Sequence, residues 1–576
     1  MYGYQISGMS CRKYVVAVLF VSISAGVYAP LLRGQLYPAV NIVFTIAVLS
    51  IIAISWFDPS LRDTCPAYIC ILITLAVAYR LRIFLFPASM IGQDPDAYAI
   101  QIARVMEAGE TSAITFGFYG QAPLHILEGT ITGLITALPA PAASVVYPIA
   151  GGIAIPLIAA SLAHRLRPDV PEATVLASGM VSILGHSVHY SYWPIAQSTG
   201  VLFLLFTLAS IFAYATTGDK RWLISGILAM LGAVYTHKLS ALATTFSVTG
   251  ATLLGIVHPA TRRSEEVKRL ATGAFWVIAL LTAVQLLFVT GFIRTVVSQL
   301  YMPSVPGSPG SSPTNTLLAT DPYTFTDRIF ALSYVILMGL ISGLVWLSLC
   351  WRTVRNRGPP RDILFLGFVS PLAALVIVLY PAEVNPVRTI FYVEVLLAVL
   401  IAVGGYWVAA ESASSFQPLA RYAAIVGIFI LLISAGVSPT AGPDWDTLNR
   451  NYLTAEEVEA KEWGYQRVPG AIAADQYYAG ESPPARIQKR ESNSDIGFSK
   501  FESRTSMYLY NSFRENRPPV VAYRDCIEIY RSGFGVWKLT YDPESVLEDA
   551  YNRVYDSECV SYFSSAPRTN SLPSGM

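Results

Sequence analysis

The feature that most limits what this chain can fold into is the recurrence of apolar stretches such as "YVVAVLFVSISAGVYA" and "PLAALVIVLY" along its 576 residues. A helix needs about 20 mostly apolar residues to cross the hydrocarbon core, where only helices and closed barrels satisfy their own backbone groups. Windows of that kind fall near 14–32, 36–57, 66–87, 145–163, 172–189, 199–217, 222–237, 239–258, 270–292, 328–350, 362–380, 388–408 and 421–438, roughly thirteen in all. Only 13% of residues are charged and mean hydropathy is +0.49, whereas soluble domains carry charge on about a quarter of positions. These values imply a polytopic α-helical membrane protein. The first run follows Arg12 and Lys13 and is succeeded almost at once by another, so it reads as an uncleaved span rather than a signal peptide. A net charge of +1 with no long basic run gives no argument for nucleic acid.

Topology turns on the apolar stretch 121–139. Left out of the membrane as a re-entrant or interfacial helix, it lets the loops holding "RK", "LRD", "HRLR", "DKR", "TRRSEEVKR", "WRTVRNRGPPR" and "QPLAR" all face the cytoplasm, as the positive-inside rule requires. The same threading puts 88–144, "HYSYWPIAQS", 293–327, "PAEVNP" and everything after about 439 outside. The chain then divides into N-terminal spans (1–65), a transmembrane module (66–439) and an extracytoplasmic domain (440–576). The loop 293–327 carries "YMPSVPGSPGSSPTN", a composition that cannot pack into a core and suggests a flexible flap. In the last region "LTAEEVEAKEWGYQ" reads as a helix opened by a capping box of Thr454 and Glu457, while "AIAAD" and "PPVVAYRDCIEIYRSGFGVWKLTYD" read as strands and turns. The prediction there is a small α/β domain. Cys526 and Cys559 are the cysteines of this region; an external location allows a disulfide, and two free thiols are the alternative. No cysteine spacing suggests zinc.

The first external loop opens with "IGQDPDAYAIQIARVMEAGE". Asp94 before Pro95 reads as an N-cap, Asp96 falls in the first turn where the helix dipole favours a carboxylate, and Gly109 can close the helix. Ile100, Ile102, Ala103, Val105 and Met106 suit a helix lying along the membrane surface. On that account the aspartates only start a helix. Carboxylates at a membrane rim beside Tyr98 and Arg104 are also placed for interfacial chemistry.

"DPDAYAIQIARVMEAGE" followed by "YGQAPLHILEG" resembles the first external loop of GT-C glycosyltransferases, and most nearly the protein O-mannosyltransferases and lipid A aminoarabinose transferases. The resemblance implies an inverting enzyme that uses a polyprenyl-phosphate sugar, with the acidic residue four positions before a Tyr acting in catalysis. That residue is Asp94, ahead of Tyr98. Pro95 stands where the family often has Glu, and Asp96 is the substitute that could assist. A phosphate leaving group calls for cations. "YTHKLSAL" offers His237 and Lys238, and "AEVNPVRTIFYVEVLLAVL" offers Arg388, with Tyr392 one turn deeper; both stretches resemble phosphate-facing segments of the family. Snorkelling or helix anchoring would explain the same cations structurally. Glu383 and Arg104 join Tyr98 and Tyr392 as candidate substrate contacts, and Arg80 and Arg82 are further cations.

The reading is transfer of a monosaccharide, mannose by resemblance, from a dolichyl or polyprenyl phosphate to a lipid-linked glycan or surface glycoprotein, at the outer face of a cell membrane and in an archaeal type of source. No cofactor is called for. Gln197 stands where oligosaccharyltransferases carry an acidic metal-ligand motif, and the external domain lacks their "WWD", which argues against whole-oligosaccharide transfer and a catalytic divalent metal. Two alternatives remain: an oligosaccharyltransferase-like enzyme, and a lipid-linked sugar flippase, which would tend to place charges at the midplane of repeated halves. A membrane-anchored scaffold would not need so many spans.

Overall fold

A computed structural model describes residues 39–565 apart from 57, 59, 86–87, 91–92, 260, 263, 288, 290–316, 356–358, 380–385, 412–416, 438–451, 485–486, 488–499 and 533–534. Its helices run α1 (Ala39–Trp56), α2 (Leu61–Leu85), α3 (Gln93–Ala108), α4 (Leu124–Thr136), α5 (Val146–Leu166), α6 (Pro171–Ile183), α7 (Gly185–Tyr192), α8 (Ala196–Thr217), α9 (Lys220–Val234), α10 (Lys238–Val257), α11 (Glu265–Leu287), α12 (Phe325–Val354), α13 (Pro360–Leu379), α14 (Pro386–Glu411) and α15 (Gln417–Val437). Among the described residues 7 helices are long and apolar enough to cross a membrane, and Val40–Trp56, Ile390–Gly405 and Val426–Gly436 are shorter apolar helices. The span expected at 14–32 lies outside the described residues. The protein is a multi-pass membrane protein.

Small residues let the spans approach closely, as they must where lipid gives no hydrophobic drive to helix association. A Cβ on Gly250 would collide with Pro371, and one on Gly367 with Ala251, so α10 and α13 touch backbone to backbone. The stretch 121–139 forms only the 13-residue α4, too short to span, with Ile131, Leu134 and Ile135 exposed on one side.

The span expected at 172–189 is broken. Helix α6 ends at Ile183 and α7 restarts at Gly185. A break at that depth leaves carbonyls at one end and amides at the other without partners. Arg80 of α2 is fully buried and donates to the carbonyls of Val181 (3.2 Å), Ser182 (3.3 Å) and Ser187 (3.4 Å) and to Ser191 Oγ (2.5 Å). Glu394 of α14 accepts from the amide and the hydroxyl of Ser187. A cation thus meets the carbonyl end and an anion the amide end, as the helix dipoles favour.

The C-terminal region holds α16 (Ala455–Arg467), α17 (Gln476–Gly480) and strands β2 (Ile472–Ala474), β3 (Phe501–Ser503), β4 (Val520–Arg524), β5 (Ile529–Ser532), β6 (Gly535–Leu539), β7 (Asn552–Asp556) and β8 (Val560–Ser564). One sheet has the order β3-β2-β4-β8-β7, parallel across β3, β2 and β4 and antiparallel beyond. The capping box forms, with Thr454 N donating to Glu457 at 2.8 Å. A disulfide joins Cys526 to Cys559. Of the loop 293–327, residues through 316 lie outside the described set. Its later part supplies β1 (Ala319–Thr320), which pairs with β6 in a second sheet of order β1-β6-β5.

Candidate functional site

Helix α3 opens at Gln93, one residue before the expected cap, so Asp94 and Asp96 both lie in its first turn. Gly109 closes it with φ +72°, a conformation that glycine adopts without steric cost. Residues two apart on a helix point about 200° apart, whereas residues four apart share a face. Asp94 is therefore in line with Tyr98, whose buried ring packs with Ile102 and Val105 against the membrane helices. Asp96 is in line with Ile100, which packs with Ala99 and Met90 against Ile487 of the C-terminal domain. The two aspartates face different partners.

On the Asp94 face, Tyr98 meets Tyr119 edge-on at 5.1 Å, Phe116 at 5.4 Å and the His125 ring at 4.8 Å. Asp94 is half-buried and close enough for its charge to add to the rise in the Tyr98 pKa, which burial dominates. His125, the second residue of α4, stacks on Tyr147 at 4.1 Å, and its Nδ1 lies 2.9 Å from Thr199 Oγ1. Burial pushes the His125 pKa down to about 3, so the ring is neutral at physiological pH. Leu124 N donates to Tyr235 O at 3.0 Å, which seats α4 on the turn between α9 and α10.

That turn carries His237 and Lys238. Lys238 is half-buried with its Nζ 5.7 Å from the Phe118 ring centroid, and Phe118 in turn contacts Tyr119 at 5.6 Å. His237 Nδ1 lies 3.1 Å from the buried Tyr392 hydroxyl and 3.3 Å from Ser240 Oγ, which ties α10 to α14. Gly200 lets α8 come close to the start of α10, because a Cβ there would strike the His237 and Ser240 side chains. Asp94, Tyr98, Lys238, His237 and Tyr392 thus belong to one connected cluster. The side chain of Arg388 lies outside the described residues; its backbone position is one turn before Tyr392 in α14. Glu383 lies outside the described residues. Arg104 sits some 15 Å along α3 from Asp94 and donates to Thr115 Oγ1, whose own amide donates to Gln101 at 2.9 Å; it pins the following turn. Arg80 serves the helix break, and Arg82 donates to Asn41 at 2.6 Å.

His125, Tyr119 and Phe118 were not singled out from the sequence. A lone histidine in an apolar stretch was the available signal for His125, and it is indistinguishable there from a packed core histidine. Residues of α12, α13 and α14 line an open, largely apolar cavity of about 720 Å³. Its wall includes Ile390, Val393 and Leu397, with Gly339 and Gly343 opposite, and Trp346 covers the hydroxyl of Ser370 through a 2.9 Å hydrogen bond.

The likeness to solved structures gives the fold class: the chain has the GT-C fold. It is similar to the oligosaccharyltransferase of Archaeoglobus fulgidus in its complex with Zn and sulfate, with TM-score 0.50 and 13% identity over 79% of this chain and 68% of that one. It is also similar to ArnT from Cupriavidus metallidurans bound to undecaprenyl phosphate, with TM-score 0.44 and 10% identity over 87% and 98% of the respective chains. No protein-family model matches the chain, and no curated protein matches its sequence.

Proposed function

We propose that the protein is an inverting membrane glycosyltransferase that moves one sugar from a polyprenyl or dolichyl phosphate to an acceptor hydroxyl at the outer face of the membrane. The observation that carries this reading is a juxtaposition. An open apolar cavity and a polar cluster with a lysine and a histidine both meet the N-terminal part of the same helix, α14. An isoprenoid phosphate has this duality, an apolar tail on a dianionic head. Its tail suits the groove along Ile390, Val393 and Leu397, and its phosphate suits Lys238 and His237, with Arg388 kept as the candidate that the sequence alone supplies. The fold likeness is consistent with it, and the archaeal relative is described as an oligosaccharyltransferase.

In the step proposed, Asp94 takes the proton of the acceptor hydroxyl as its oxygen bonds to the sugar's anomeric carbon. The anomeric carbon–oxygen bond to phosphate breaks on the opposite side, its electron pair leaves with the polyprenyl phosphate, and the configuration inverts. Lys238 offsets the charge that grows on the departing oxygen. The part-exposed rings of Tyr119 and Phe118 offer a surface for a sugar on the Asp94 face of α3, with the buried Tyr98 ring behind Tyr119. Mannose as the sugar and a surface glycan or glycoprotein as the acceptor are the specific version of the proposal.

Deletion of the gene followed by mass spectrometry of surface glycans should show loss of a single hexose, and Asp94→Asn should fail to restore it, with a kcat on the purified protein lower by about 10²–10⁴. An unaltered glycan profile would count against the whole assignment. Full rescue by Asp94→Asn would remove Asp94 from the chemistry, and loss of an entire glycan would favour oligosaccharide transfer instead.

A further inference from the structure

The face of α3 opposite Asp94 is built into the C-terminal domain with more care than a surface helix requires. Asp96 has no exposed surface, and its Oδ2 accepts from the amide of Ser482 at 2.5 Å. Its Oδ1 is buried with no hydrogen-bond partner among the described residues. Glu481 next to it accepts from Ser89 Oγ at 2.8 Å, and Ser89 Oγ accepts from Leu453 N at 2.8 Å. The segment preceding α3 is thereby stitched to the strand-and-helix unit that starts at 452. Ile487 closes the seam against Ala99 and Ile100. The fully buried Lys461 of α16 donates to the carbonyls of Tyr478 and Glu481, under the Tyr478 and Phe501 rings.

Resting on the reading of Asp94 as the base, we propose that Asp96 is a positioning residue: it is the proton-carrying latch through which the C-terminal domain sets the pose of α3, and so the aim of Asp94, and this latch loosens as external pH rises. Two buried carboxyls, Asp96 and Glu481, within electrostatic reach of one buried lysine that is itself bonded to backbone carbonyls, cannot all be charged at low cost. A protonated Asp96 still accepts the Ser482 amide on one oxygen and loses the penalty of a buried charge.

Burial raises the Asp96 pKa to about 8, with the Ser482 amide and Lys461 opposing. Glu481 is raised by burial and then by Asp96, while the Ser89 hydrogen bond, Lys461 and Arg524 oppose. Burial lowers Lys461 to about 7, with Glu481, Asp96 and Asp475 holding it up and Arg524 acting the other way. Glu457 pairs with Arg524. The sign follows from linkage. Docked Asp96 keeps a proton that an undocked helix releases near 3.8, so docking takes up a proton between 3.8 and about 8 and weakens across that window as pH rises. Lys461 has the opposite sign, but it is enclosed by carbonyls and rings of its own domain, so its contribution is largely present whether or not α3 is docked.

Hydrogen exchange on the full chain in nanodiscs, read as protection factors to remove the intrinsic pH dependence, tests this. Protection of amides 97–108 should fall about tenfold or more between pH 6 and pH 9, with amides 520–524 as an internal reference that stays protected. Asp96→Asn keeps an acceptor without a titrating charge and should abolish the fall, and the alkaline decline of sugar transfer should move with it. Asp96→Ala should lower protection of α3 at both pH values. An unchanged pH trend in Asp96→Asn overturns the latch. Joint loss of protection at 520–524 in Asp96→Ala overturns it too, because Asp96 would then support the whole fold rather than one helix. A protein that transfers no sugar from any polyprenyl phosphate would sink the glycosyltransferase reading and leave the exchange result to decide the latch.

Discussion

Two buried arginines show how differently the two halves of this molecule handle charge. In the membrane half, Arg80 spends its donors on neutral carbonyls of a broken helix, while the carboxylate of Glu394 serves the amide end of the same break. In the C-terminal domain, Arg524 takes Asp475 through two hydrogen bonds, at 2.7 and 2.9 Å, and Glu457 at 3.2 Å. Both residues are nearly inaccessible. The first arrangement repairs a defect that only water could otherwise satisfy, in a region without water. The second links a helix, a strand and the Asp475 cap of α17 in a domain that already has a sheet to hold it.

The contrast can be broken in order of severity. Arg80→Met should have the largest effect, because it strands the carbonyls of Val181 and Ser182; we expect loss of a monodisperse detergent peak in size-exclusion chromatography, and a stable peak would mean that the break is otherwise satisfied. Arg524→Met should destabilise the C-terminal domain by about 3–5 kcal/mol, since two carboxylates lose their partner, while α2 and α6 remain protected in hydrogen exchange. Equal loss in both halves would show that the domain and the spans unfold as one. Thr454→Ala removes one side of the capping box and should cost about 1 kcal/mol in thermal unfolding, with no change in the membrane half.

Much of the membrane half was legible from hydropathy, because crossing a bilayer is a demand on composition and length that a one-dimensional window can measure. The stretch 121–139 was separated from the spans by charge asymmetry alone, and α4 is indeed only 13 residues long. The capping box at Thr454 was readable because its two partners are three residues apart. The break at Leu184 was not, since "LGHSVHY" contains no proline and its unpaired backbone is answered by Arg80 and Glu394 from elsewhere in the chain. Nor could the sequence choose between a disulfide and two thiols at Cys526 and Cys559, which are brought within bonding distance by the pairing of β4 with β8.

The aspartates of "DPDAY" mark the boundary most clearly. Sequence determined that they open a helix and that, two residues apart, they point to opposite sides of it. It could not say what waits on each side. The aromatic cluster facing Asp94 is assembled from α4 and from the turn before α10, and the carboxylate and lysine near Asp96 come from residues more than three hundred positions later. Local spacing fixes direction along a helix. Which environment lies in that direction is decided only when distant segments pack, and that environment sets whether a carboxylate stays half-buried beside aromatic rings or is closed into a seam.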